Sequence, residues 1–197
     1  MMNNKKLTQV YPTSFNITAR ILHWLMAAMI LTMLFVGVGM MTSLTLRPWL
    51  LNLHIPLGVA VLLLAIVRLI NRLLTPVPQL PDQMPGWQKY IATILHWVFY
   101  VLMFALPLSG WAQLSSGGFS VRLYPGLHLP PMLAQNPTSH ALLHDLHRIM
   151  AWSFFFMVVG HLSAALIHGF IYRDNILRSM TLQKKQTDNS EEICSEQ

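Results

Sequence analysis

The sequence predicts an all-α integral membrane protein built as a four-helix bundle, and two observations carry that fold class. Of its 197 residues, 54% are hydrophobic and only 10% charged, with a mean hydropathy of +0.47, more apolar surface than a soluble domain of this length can bury. The apolar residues also concentrate in four continuous runs, Ala19 to Met41, Leu51 to Leu73, Tyr90 to Gln113 and Ile149 to Tyr172. Each run is close to the about 20 residues that take a helix across the hydrocarbon core. A membrane β-barrel would show segments of about 10 residues alternating in polarity instead.

Residues 1–17 are polar, with a Tyr11-Pro12 break, and are expected to lie at the cytoplasmic surface before Thr18 opens the first span. That span is too long for the apolar region of a secretion signal, and Met41-Thr42-Ser43-Leu44 offers no small-residue cleavage site, so it is expected to be retained. The short connection Thr42 to Leu50 makes the first two spans antiparallel neighbours. Between spans two and three, Pro76, Pro78, Pro81 and Pro85 exclude a regular helix and indicate a stiff linker. Pro107 is expected to kink the third span. The longest connection, Leu114 to about Ser139, carries turn signals at Gly117-Gly118, Pro125-Gly126, Pro130-Pro131 and Asn136-Pro137, and connections of that length are more often functional than idle. Residues 18–180 thus form one membrane domain without an internal repeat, and 181–197 a polar tail expected to be disordered in the cytoplasm.

Charge gives the orientation. Ten basic residues (Lys5, Lys6, Arg20, Arg68, Arg72, Lys89, Arg173, Arg178, Lys184 and Lys185) fall on one side of the four-span topology, and only Arg47, Arg122 and Arg148 on the other. The positive-inside rule then puts both termini of a multi-pass membrane protein in the cytoplasm. The net charge of +6 is explained by topology, and because the basic residues flank spans, nucleic acid is excluded as a partner. Trp24, Trp49, Trp87, Trp97 and Trp111 lie near span ends, as an interfacial aromatic belt requires. The single cysteine, Cys194, rules out a disulfide framework, a thiolate zinc site and a C-x-x-C-H haem attachment.

Nine histidines are many for so apolar a chain, and ionisable groups within lipid usually mark a site. In the last span His147 and His161 are 14 residues apart, a rotation of about 1400°, about 40° short of four turns, so they share a face with about 21 Å between their Cα atoms. His23 opens the first span at the cytoplasmic side and His54 opens the second at the outer side. Depth therefore pairs His23 with His161 and His54 with His147. An imidazole on each side of a ring plane is the arrangement that binds a haem iron axially in a bundle core. Zinc would need further ligands that neither layer offers, Asp145 being the one acidic residue near the outer layer.

The remaining histidines take lesser parts. His96, at the cytoplasmic end of span three, is assigned beside the cofactor or in a quinone pocket, with a purely structural role equally open. His168 and His144 are boundary residues. Arg20, Arg68 and Arg72 stand where they could pair with anionic propionates of the inner haem, although positive-inside anchoring explains them equally well. Gly58, one turn beyond His54, and Gly160, beside His161, would admit a planar macrocycle, or simply close helix packing. Arg47, Arg122, Arg148, His128, His140 and His144 against Asp145 make the outer face basic, which would draw a small anion.

From about Phe15 to Met180 the chain resembles the bacterial cytochrome b561 family of di-haem membrane proteins. The features that carry the resemblance are Ile21-Leu22-His23-Trp24-Leu25, His54 with Gly58 and Arg68, and His96 with Ala105-Leu106-Pro107-Leu108-Ser109-Gly110. They continue with His147 fourteen residues before Gly160-His161, and with Arg173-Asp174-Asn175 followed by Leu177. The resemblance implies two noncovalent haem b groups held by His23, His54, His147 and His161, and exchange of electrons with ubiquinone. At least one relative is similar to a superoxide oxidase, which makes superoxide a candidate donor and a superoxide:ubiquinone oxidoreductase a candidate activity. The expected mechanism is a one-electron relay from an outer-face donor, superoxide or a periplasmic redox partner, to membrane ubiquinone. Two alternatives stay open: a membrane anchor cytochrome b subunit for a soluble redox enzyme of the hydrogenase type, and a haem-free, histidine-lined metal transporter.

Overall fold

The computed structural model describes residues 15–76 and 85–172. Most of the N-terminal segment, Pro78 and Pro81, the Arg173-Asp174-Asn175 motif and the tail 181–197 lie outside the described residues. Four long helices dominate: α1 (Ile17–Thr42), α2 (Arg47–Leu74), α3 (Gly86–Ser116) and α4 (Pro137–Ile167), the last continued by a π-helical turn, His168–Tyr172. All four are long and apolar enough to cross a membrane, in agreement with the sequence.

Local chemistry sets the helix starts. Asn16 accepts a hydrogen bond from the Ala19 amide at 2.7 Å, and Asn136 accepts one from the Ser139 amide at 3.1 Å with Pro137 in the first turn, each cap worth about 1 kcal/mol. α4 therefore starts twelve residues before the apolar run at Ile149. Its first turns are polar, so the apolar run does not show them, and Asn136-Pro137, a turn signal in the sequence, is the cap that starts this helix. α3 runs through Pro107 and α2 through Pro56 without interruption.

A two-stranded antiparallel hairpin, β1 (Val121–Tyr124) and β2 (Leu127–Leu129), occupies the long connection, with Gly126 at φ 88° in its turn, a conformation that costs glycine little. Turn signals were read in this stretch, but not strands, because the alternation covers only a few residues. Val121 is buried and β1 packs on α2 and α3. Behind it Trp111 Nε1 donates to the Pro130 carbonyl at 3.0 Å, and the Met132 amide donates to Ser115 Oγ at 3.1 Å. The hairpin is thus stitched to the end of α3.

Packing is strongest within the antiparallel pairs α1–α2 and α3–α4, with α2–α3 joining them. Between α4 and the α1–α2 pair the backbones stand apart. The buried centre comprises Met26, Val61, Ala65, Tyr100, Met103 and Phe154, while large apolar side chains such as Phe35, Phe156 and Phe170 face outward, the distribution that lipid as solvent allows.

Candidate functional site

Phe154 lies seven residues from both His147 and His161, so the apolar centre separates two histidine layers. One layer is at the hairpin end of the bundle; the other is at the end where α1 starts and α4 finishes, here the termini end.

At the hairpin end the rings of His54 and His147 stand 6.3 Å apart, centre to centre, at 68°. At the termini end His23 and His161 stand 6.4 Å apart at 64°. A ligating imidazole nitrogen lies about 2.0 Å from a transition metal, with its ring centre about 1.1 Å further back, so two rings across one ion stand about 6 Å apart. Both pairs have that spacing, and both span the gap where α4 leaves the α1–α2 pair. Among the described residues no group of three or more His, Cys, Asp or Glu side chains converges as a metal site.

The hairpin-end pair is held mainly from α3. Ser109 Oγ lies 3.0 Å from His147 Nδ1 and donates its own proton to the Leu106 carbonyl at 2.8 Å. A Cβ on Gly110 would come 3.3 Å from His147 Cε1, so the glycine leaves room for the ring. His54 Nδ1 is buried without a hydrogen-bond partner among the described residues, a state that costs about 1–3 kcal/mol. In the sequence Ser109 and Gly110 stand out only as part of a motif; their contacts with His147 join residues 38 and 37 positions apart, which no local pattern reveals.

The termini-end layer holds more groups. Arg68 Nη2 donates to His23 Nδ1 at 3.0 Å, and Arg68 Nη1 is buried with no partner among the described residues. Because arginine only donates, neutral His23 carries its proton on Nε2 here. Metal binding through Nε2 therefore needs Arg68 to withdraw, and its unspent Nη1 gives the guanidinium reason to seek an anion. Arg20, one turn before His23, is buried although charged, and Arg72 is within electrostatic reach of His96. The structure thus brings His96 into the layer: its ring is 6.2 Å from His161, as near as His23, and its Nδ1 donates to the Ala92 carbonyl at 2.6 Å. Phe99 closes the layer on the inward side, 5.4 Å from His161.

Other expectations separate here. Gly58 is buried with Met33 Cε 3.7 Å from the position of its absent Cβ, so it serves packing against α1, whereas nothing lies within 4 Å of that position at Gly160. His140 donates from Nδ1 to the Gln113 carbonyl at 2.8 Å, helping to close the end of α3. The basic face at the hairpin end is weaker than its composition implies. Arg148 pairs with Asp145 at 3.2 Å, and His144 lies 3.6 Å from the same carboxylate. Arg122 and His128, opposite each other across the hairpin, remain exposed.

A family model described as prokaryotic cytochrome b561 matches residues 14–182. Cytochrome b561 homolog 1 of Escherichia coli (strain K12) is 29% identical over 194 residues, covering 93% of this chain and 100% of the relative. Cytochrome b561 homolog 2 of the same strain is 28% identical, covering 90% of this chain and 95% of the relative. A Yersinia pestis protein named probable superoxide oxidase CybB is 31% identical over 139 residues, 71% of this chain and 78% of that protein.

Proposed function

The chain belongs to the prokaryotic cytochrome b561 family, and from that premise we propose that it is a di-haem b membrane cytochrome passing electrons from a donor at the hairpin end to ubiquinone. Family membership makes haem b the cofactor and membrane electron transfer the class of activity. The number of haems, their ligands and both redox partners are the proposal. One haem is assigned to His54 and His147, the other to His23 and His161, within a membrane domain of residues 18–180. The observation that carries this is the pair of histidine rings at each end of the bundle with one common spacing, 6.3 and 6.4 Å. Bound there, haem b would supply reversible one-electron chemistry at its iron, with these histidines as the residues that would hold it.

The protein's own groups have separable tasks. His54 and His147 hold the hairpin-end site in a water-poor setting. Arg68, with Arg20 and Arg72 near it, faces the propionates of the termini-end group; the buried unpaired Nη1 of Arg68 supports that part. His96, beside His161, forms a wall of the quinone pocket. The excess of basic residues at the termini end supports a topology in the bacterial inner membrane with both termini cytoplasmic and the hairpin outside.

For the donor we take superoxide. The relative named as a superoxide oxidase supports it, as do the exposed Arg122 and His128 on the hairpin, which would draw a small anion. Haem quantitation and reduced-minus-oxidised spectra of the wild type and of His23→Ala, His54→Ala, His147→Ala and His161→Ala test the haem assignment. Two haems in the wild type and one in each variant is the expected result. Stopped-flow mixing of the oxidised protein, loaded with quinone, against superoxide tests the donor. Absence of haem reduction above spontaneous dismutation would remove superoxide and leave the cytochrome intact.

A further inference from the structure

We infer that Ser109 is a positioning residue that fixes the tautomer and pose of His147, so that Nε2 is the atom this ring presents for metal binding; the inference rests on the haem assignment proposed above. The ring's Nδ1 lies 3.0 Å from Ser109 Oγ on α3, and Ser109 Oγ in turn lies 2.8 Å from the Leu106 carbonyl oxygen. A carbonyl only accepts. The one hydroxyl proton of Ser109 is already directed at that same carbonyl, at 2.8 Å. Ser109 Oγ therefore turns a lone pair toward the ring, and the proton between it and His147 belongs to Nδ1. Nε2 is left with its lone pair, the form in which a neutral imidazole binds a metal.

The pose follows from the same contact. Ser109 is buried, and its side chain is tied to the α3 backbone one turn back. The acceptor is thus rigid, and Gly110 beside it leaves the ring just enough room. An oxygen accepting the N–H of a ligating histidine makes the imidazole a stronger donor, which favours the oxidised metal and lowers its potential.

The test uses the full-length protein in detergent. Ser109→Ala and Ser109→Thr are compared by haem quantitation and by optical redox titration, with His54→Ala marking which signal belongs to the hairpin end. In Ser109→Ala the midpoint potential of the hairpin-end haem is expected to rise while the other stays in place, and Ser109→Thr, which keeps the hydroxyl, restores it. Loss of that one haem in the alanine variant, restored in the threonine variant, also supports the inference. Unmoved potentials, a shift confined to the other haem, or equal loss in both variants overturns it and leaves Ser109 a packing residue. A wild type without a Soret band would bring down the haem assignment itself, and this inference with it.

Discussion

At the hairpin end His147 turns a ring N–H toward Ser109 Oγ on α3, whereas at the termini end His23 receives a donor, the Arg68 guanidinium, on the same ring atom. The two layers share a ring spacing but differ in the charge that surrounds them. On the haem assignment proposed above, the acceptor on His147 would favour a ferric iron by the net worth of a hydrogen bond, about 0.5–1.5 kcal/mol. Arg68, withdrawn from the His23 ring when the metal binds, would keep its positive charge in this layer, and a positive charge about 6 Å from an iron favours the ferrous form by about 3 kcal/mol at an effective dielectric of about 20. The arginine would be the larger effect, and both would draw electrons from the hairpin end toward the termini end. The proposed direction of flow thus depends on what surrounds the histidines rather than on the histidines themselves.

The largest effects come from removing one layer and watching the other. His54→Ala and His147→Ala should each lose the same haem, and His161→Ala the other, with membrane insertion retained because the bundle's apolar centre lies between the layers. Haem content and separate α-band signals check this. Loss of both haems from a single substitution would mean that the layers are not independent and would break the comparison at its root.

A sharper test concerns the termini end alone, where His161 stands equally close to His23 and His96. His96 is the more exposed of the two, and its Nδ1 is held by its own helix at Ala92. We expect His96→Ala to keep both haems and to weaken quinone reduction about tenfold or more, and His23→Ala to lose the termini-end haem. The reverse pattern in haem content would reassign the ligand.

Sequence periodicity and depth already paired His23 with His161 and His54 with His147, because both arguments need only helical pitch and the topology of four spans. The spans themselves were legible for the same reason: lipid demands long apolar runs. What stayed hidden depends on contacts between distant residues. Ser109 reaches His147, Arg68 reaches His23 and His96 closes on His161 only once α2, α3 and α4 are packed. The hairpin was hidden for another reason, since strands of four and three residues carry too little alternation to stand out beside a turn.

Arg68 gives an intermediate effect. Arg68→Gln removes the charge but keeps a donor, so the termini-end midpoint potential should fall by tens of millivolts, about 1–3 kcal/mol for a one-electron couple, with the hairpin-end potential nearly unmoved. Spectroelectrochemical titration measures both. A fall of equal size at both ends would mean that the arginine acts as a diffuse surface charge, and the contrast between the layers would lose its cause.

The smallest effects compare two glycines, one in each layer. An alanine Cβ at position 110 would meet the His147 ring at 3.3 Å, while at position 160 it would meet nothing within 4 Å. Gly110→Ala must therefore shift the ring by a few tenths of an ångström, enough to move the hairpin-end α-band and potential slightly without loss of haem, whereas the protein atoms alone leave Gly160→Ala silent. A clear change in the termini-end haem on Gly160→Ala would show that the macrocycle itself lies against this stretch of α4. Small spectral shifts can thus report on where the cofactor plane runs, which the ring pairs by themselves do not fix, since two axial nitrogens define a line through the iron but leave the macrocycle free to rotate about it.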